Sequence, residues 1–77
     1  MLDKTALDAL KAHALRSYPQ ECCGLVVLTE QGQKYIECHN SAEKGKDSFR
    51  ISAEERSYAE DQGEVIALAH SHPDWVN

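Results

Sequence analysis

Apolar residues recur along the first half of the chain at spacings that predict one helix followed by two strands. Between Asp3 and Tyr18 they recur at helical intervals, so we predict a helix with Asp3 as its N-cap that ends before Pro19. The apolar run 25–28 is rich in β-branched residues, which predicts a buried strand. A polar hairpin turn and a returning strand should follow over residues 30–39.

The second half of the chain continues this alternation. We expect a polar loop over residues 40–48 and a short strand over 49–51. Ser52 opens a capping-box pattern, so a second helix should run over 53–61. The most apolar run, 65–69, should form a central strand. The expected order of helix, strand, strand, strand, helix, strand predicts an α/β (α+β) fold with a helix-flanked mixed β-sheet.

Length and charge narrow the class of protein. With 77 residues the chain holds one domain, residues 1–77, which should be marginally stable alone. A formal net charge of −5 argues against nucleic acid as a partner, because neutralising phosphates takes a basic surface. No apolar stretch approaches the ~20 residues of a membrane span, and no signal peptide is evident. Three cysteines without a secretion signal favour reduced thiols in a cytosolic setting.

Two histidines form the sharpest local signal for chemistry. His70 and His72 follow the apolar run directly, and Pro73 comes next. Residues i and i+2 of a strand point to the same face, so both imidazoles can converge on one cation. The alternative is two histidines at a strand end without any ligand role, and the local pattern leaves both interpretations open.

Glu21 is a second candidate, between a proline turn and the first buried strand. By itself it reads as a solvated surface glutamate. If that strand lies near the one that ends at His70, the carboxylate could stand beside a metal. There it could take a proton from a metal-bound water, whose pKa zinc lowers to about 7.

The combined pattern resembles the JAMM/MPN family of zinc metallopeptidases. The residues that carry the core of the resemblance are Pro19, Glu21, Gly24, Leu25, His70, His72 and Pro73. A finer pattern resembles the N-terminal domain of lambda-like phage tail assembly proteins. Its further matching pieces are Tyr18, Cys23, Asn40, Phe49, Ile51, 58–61 and 63–67. The resemblance covers nearly the whole chain.

The resemblance implies a role for each matching residue. Glu21 would be the catalytic general acid/base, and His70 and His72 would be zinc ligands, whereas Ser71 fills a variable position without a catalytic role. The family pattern continues with a serine that stabilises the oxyanion and an aspartate as third zinc ligand, both expected just beyond Asn77.

We therefore expect an incomplete JAMM-type domain, with Zn²⁺ weak or absent and little activity. Asp74, the C-terminal carboxylate of Asn77 or a second chain are the alternatives for a third ligand.

The cysteines offer competing interpretations. Cys22, Cys23, Cys38 and His39 could form a structural zinc site, although no Cys-x-x-Cys spacing occurs. Small buried thiols are the simpler interpretation. A cysteine nucleophile would be Cys22 or Cys23, and its base would be His13, His39 or His70.

Three hypotheses about function follow. The first is a zinc-dependent peptidase or isopeptidase domain acting on a peptide or protein substrate. The second is a non-catalytic module that binds phage tail proteins, and the third is a small structural zinc protein. The resemblance implies the bacterial host cytoplasm or the phage tail as the location. An unfinished sheet edge would invite homo-oligomers.

Overall fold

The structure is a computed structural model that describes residues 2–39 and 50–71. These residues contain two helices and three strands. In chain order these elements are α1 (Lys4–Ser17), β1 (Cys23–Thr29), β2 (Gly32–Cys38), α2 (Ala53–Gln62) and β3 (Glu64–His70). The described strands lie in the order β2-β1-β3, and both pairings are antiparallel. The predicted α+β class with flanking helices is confirmed, although the described strands form an antiparallel rather than a mixed sheet.

Helix α1 begins and ends where local sequence signals place its boundaries. The Asp3 carboxylate accepts a hydrogen bond from the amide of Ala6 at 2.9 Å, which satisfies one of the free N–H groups of the first turn. The helix ends at Ser17, and the Tyr18–Pro19 peptide bond that follows is cis. The predicted N-cap and the helix end before Pro19 are confirmed.

Strand β1 is the centre of the described sheet and of its hydrophobic core. Leu25, Val26 and Val27 are fully buried; β1 has a neighbouring strand on each edge, and α2 packs against it. Successive side chains of a strand point to opposite faces. The core cluster on the α2 face consists of Cys23, Leu25, Val27, Ile36, Cys38 and Ala59, with Ile51 and Val65 packed against it. The other face of β1 lies toward α1.

The capping box of α2 is confirmed. The Ser52 hydroxyl accepts a hydrogen bond from the amide of Glu55 at 3.1 Å, as predicted for this start. Ala59 is the buried residue of the helix, and its small side chain brings the backbone of α2 close to the sheet. The Gly63 amide bonds to the Ala59 carbonyl at 3.3 Å and ends the helix.

Two expectations from the sequence need correction. Arg50 and Ile51 belong to no strand, so the strand predicted over 49–51 is absent from its described part; Phe49 and the loop 40–48 lie outside the described residues. Ile51 packs against the core just before the N-cap of α2, which explains its apolar character without a strand. Strand β3, predicted to be central, is at an edge of the three described strands, and its residues alternate in exposure.

A close approach between β1 and β2 explains the glycine that begins the apolar run. A Cβ atom on Gly24 would overlap the ring of Tyr35, which lies across β1 at that position. Gly24 therefore makes room for an aromatic ring that reaches from β2 toward α1. Packing, rather than chemistry, therefore explains why glycine stands at position 24 of the motif that runs from Glu21 to Leu25.

Replacing Gly24 by alanine should destabilise the fold by about 1–3 kcal/mol, the usual cost of overpacking a core. Urea unfolding followed by circular dichroism measures this cost. The Tyr35→Ala background is the control, because removing the ring removes the overlap, so Gly24→Ala should then cost less. An equal cost in both backgrounds would contradict the overlap.

Candidate functional site

The antiparallel pairing of β1 with β3 brings the Glu21 segment and the His70 segment to one end of the sheet. Cys23 is the register partner of His70. One residue further along, the Ser71 amide donates a hydrogen bond to the Cys22 carbonyl at 3.0 Å. Hydrogen-bonded and non-hydrogen-bonded pairs alternate in an antiparallel ladder, so Cys23 and His70 form a non-hydrogen-bonded pair, whose side chains stand close together.

Glu21 lies at this same end, just before the first residue of β1, and is half-buried. Burial is the main cause that raises the pKa of Cys23, and the negative charge of Glu21 is a smaller contributor. Two of the three predicted site residues, Glu21 and His70, are therefore on the same rim of the sheet. The third, His72, lies outside the described residues, as do Pro73, Asp74 and Asn77.

The described residues do not contain a complete metal centre. Among residues 2–39 and 50–71, no group of three or more histidine, cysteine, aspartate or glutamate side chains could hold a metal ion. Since His72 is not among them, the zinc site predicted at His70 and His72 stays a prediction. These residues likewise contain no such cluster for the cysteine-based zinc site.

The cysteines are buried free thiols. Cys23 and Cys38 are register partners across β1 and β2 and belong to the core cluster on the α2 face. Burial is the main cause that raises the pKa of each thiol to about 11. A thiol with that pKa is almost entirely protonated at neutral pH and is a poor nucleophile. This agrees with the interpretation of small buried thiols rather than a reactive cysteine.

A polar cluster joins α1 to the other face of the sheet. His13 is buried, and its Nδ1 lies 2.8 Å from the Tyr35 hydroxyl, while its Nε2 lies 4.0 Å from a carboxylate oxygen of Glu37. The Arg16 guanidinium donates two hydrogen bonds to the Glu37 carboxylate. The Arg16 hydrogen bond is the main cause that lowers the pKa of Glu37.

This cluster was not foreseen from the sequence, which named His13 only as a possible base for a cysteine nucleophile. The pairing depends on positions 35 and 37 of β2 facing α1, and no local pattern around His13 signals it. Burial of an imidazole without a partner is costly, so the Tyr35 hydroxyl compensates for its lost contact with water.

Comparison with known proteins decides the family. The chain matches, over residues 3–77, the family model for prokaryotic homologs of the JAB domain. This chain belongs to the prokaryotic JAB family. The resemblance found in the sequence is therefore confirmed.

This JAB-family chain is similar to a phage tail protein. The chain is 43% identical over 74 residues to the tail tip assembly protein K of Escherichia phage N15. The alignment covers 96% of this chain and 30% of the relative, so the chain spans less than a third of that protein. No solved structure matches the chain. Neither helix of the described residues is long and apolar enough to cross a membrane.

Alkylation should show that the thiols of the JAB-family chain are unreactive in the folded state. Because burial raises the pKa of Cys23 and Cys38 to about 11, iodoacetamide near neutral pH should modify them much more slowly than in urea. Mass spectrometry of the quenched, digested protein measures each site separately. Modification of Cys23 at the rate of the unfolded chain would contradict the assignment and would revive the nucleophile hypothesis.

The stabilisation that the Arg16–Glu37 pair gives to the fold of this JAB chain should be lost in acid. The pKa of Glu37 is lowered in the folded chain, so the unfolded chain binds more protons as the pH falls. The contribution is present above the ordinary glutamate pKa of about 4.3 and is lost as the pH falls through the lowered folded value. It should be small, because both side chains are largely exposed.

Urea unfolding of the wild type and of Glu37→Gln at a series of acid pH values measures this contribution. The wild type should lose stability more steeply. Glu30→Gln, which changes an exposed glutamate in the turn between β1 and β2, is the control and should leave the slope unchanged. Equal slopes for the wild type and Glu37→Gln would show that the pair contributes nothing.

Proposed function

We propose that this chain supplies the glutamate and histidine side of a zinc-dependent hydrolytic site that acts on peptide or isopeptide bonds. The observation that carries the proposal is the β1–β3 register, in which Cys23 pairs with His70 and Ser71 bonds to Cys22. This register supports placing Glu21 beside the histidines, as family membership would require.

The roles follow from the chemistry of the side chains. His70 and His72 would hold the metal, because neutral imidazole is a common zinc ligand. Zinc bound there would lower the pKa of a water molecule and polarise the scissile carbonyl. Glu21 would accept the proton of the attacking water and return it to the leaving amine, as general base and then general acid. Its half-buried position limits competing contacts with bulk water.

Zinc affinity should be weak for these 77 residues by themselves. Catalytic zinc usually has three protein ligands and a water, whereas the sequence pattern supplies two histidines. The described residues by themselves contain no group of three such ligands. We therefore expect weak binding and little hydrolysis from this chain alone, and a complete site would need a further oxygen ligand.

A second function, that of a non-catalytic module binding phage tail proteins, is favoured by one specific observation. The relative that matches 96% of this chain is named as a tail tip assembly protein. Under this proposal the same fold would present a surface to another tail component, either in the host cell or in the tail. Metal binding would then be dispensable, which separates the two functions experimentally.

Zinc titration of the metal-free chain tests the proposed site. Isothermal calorimetry should show one weak site in the wild type that is lost when His70 and His72 are both changed to alanine. Glu21→Gln should keep the binding, because the glutamate is a proton carrier rather than a ligand. Thermal melting with and without zinc provides a second readout, since a ligand that binds the folded state raises its stability.

The matched control is His39→Ala, which changes an exposed histidine at the end of β2 and should leave zinc binding intact. Loss of binding in a Cys23→Ser and Cys38→Ser variant, with the histidine pair dispensable, would favour the structural zinc hypothesis instead. Absence of zinc binding in the wild type would remove the hydrolytic proposal for this chain and leave the tail-binding module in first place.

A further inference from the structure

Ser71 makes an irregular hydrogen-bonded pair with Cys22 at the end of the β1–β3 ladder. In a regular antiparallel pair of this kind, two residues exchange two bonds between backbone groups. Here the Ser71 amide donates to the Cys22 carbonyl at 3.0 Å, but the Cys22 amide donates to the Ser71 hydroxyl at 2.9 Å. A side chain therefore provides the second bond of this terminal pair.

That bond acts directly on the peptide unit that carries Glu21. The Cys22 amide belongs to the planar group that also contains the Cα atom and carbonyl of Glu21. Fixing the direction of the Cys22 N–H therefore fixes the orientation of this plane. Cys22 is buried, so little water competes for its amide.

We infer that Ser71 is a positioning residue for Glu21. Its hydroxyl holds the Glu21–Cys22 peptide at the end of the sheet where His70 leaves β3, 49 positions away in sequence from Cys22. The inference rests on the proposed function as far as catalysis is concerned, but the placement of Glu21 can be tested without metal. It gives a structural role to the residue between the two histidines, for which the sequence pattern alone offers none.

The hydroxyl at the opposite end of β1 provides a matched control. The Thr29 hydroxyl accepts a hydrogen bond from the Gln31 amide at 3.1 Å and donates one to the Gly32 carbonyl at 2.8 Å. Thr29→Ala therefore also removes a hydroxyl that bonds to backbone, but far from the rim. Any effect shared by Ser71→Ala and Thr29→Ala reflects general loss of stability rather than positioning of Glu21.

Amide hydrogen exchange of the metal-free protein, followed by NMR, is the first arm of the test. Ser71→Ala should speed exchange at Cys22 by about tenfold or more after correction for global stability, which the Val26 amide in the sheet centre reports. The same variant should weaken the nuclear Overhauser effects between the Glu21 side chain and the start of β1. Ser71→Thr keeps the hydroxyl and should restore both, and Thr29→Ala should change neither.

The second arm uses zinc-loaded protein and a peptide substrate. If the chain hydrolyses the peptide, Ser71→Ala should lower kcat and leave KM nearly unchanged, with recovery in Ser71→Thr. Because little hydrolysis is expected from this chain alone, zinc titration tests the proposed function, and the first arm decides the role of Ser71 whether or not hydrolysis is detected. Unchanged Cys22 exchange and unchanged Glu21 contacts in Ser71→Ala would overturn the inference.

Discussion

The hydrogen bonding of β1 on both of its edges is the constraint on which the rest of the described structure depends. β1 pairs with β2 on one side and β3 on the other, and its central residues Leu25, Val26 and Val27 are fully buried. A slip by one residue would move each of these side chains to the opposite face, so burial on both sides holds the register. The same register makes Cys23 the partner of His70.

The two faces of the sheet are built from different interactions. The face toward α2 is a cluster of aliphatic side chains and thiols, and its stability comes from apolar burial. The face toward α1 includes the buried His13, held by the Tyr35 hydroxyl, with Glu37 and Arg16 at its exposed margin. A buried polar group has to be hydrogen-bonded, so this contact also sets how α1 sits on β2.

The proposed chemistry lies at the rim because two chain segments that are far apart in sequence converge there. Glu21 lies in the turn between α1 and β1, and His70 lies at the end of β3. The Ser71 hydroxyl joins the two segments by accepting a hydrogen bond from the Cys22 amide. None of these placements depends on a metal. Under the proposed function, the scaffold would hold a proton carrier and a metal ligand in a fixed relation before any metal binds.

The family resemblance made Glu21 a site candidate, whereas the local sequence determined the helices, their caps and the hairpin. These features depend on contacts within a few residues, such as Asp3 with Ala6 and Ser52 with Glu55. The local pattern failed at Arg50 and Ile51, because an apolar residue that packs before a helix resembles a short strand. Only the tertiary structure decided the edge position of β3, the burial of His13 and the bond between Ser71 and Cys22. Each of these is a pairing between residues far apart in sequence, and local spacing does not record which distant segment supplies the partner.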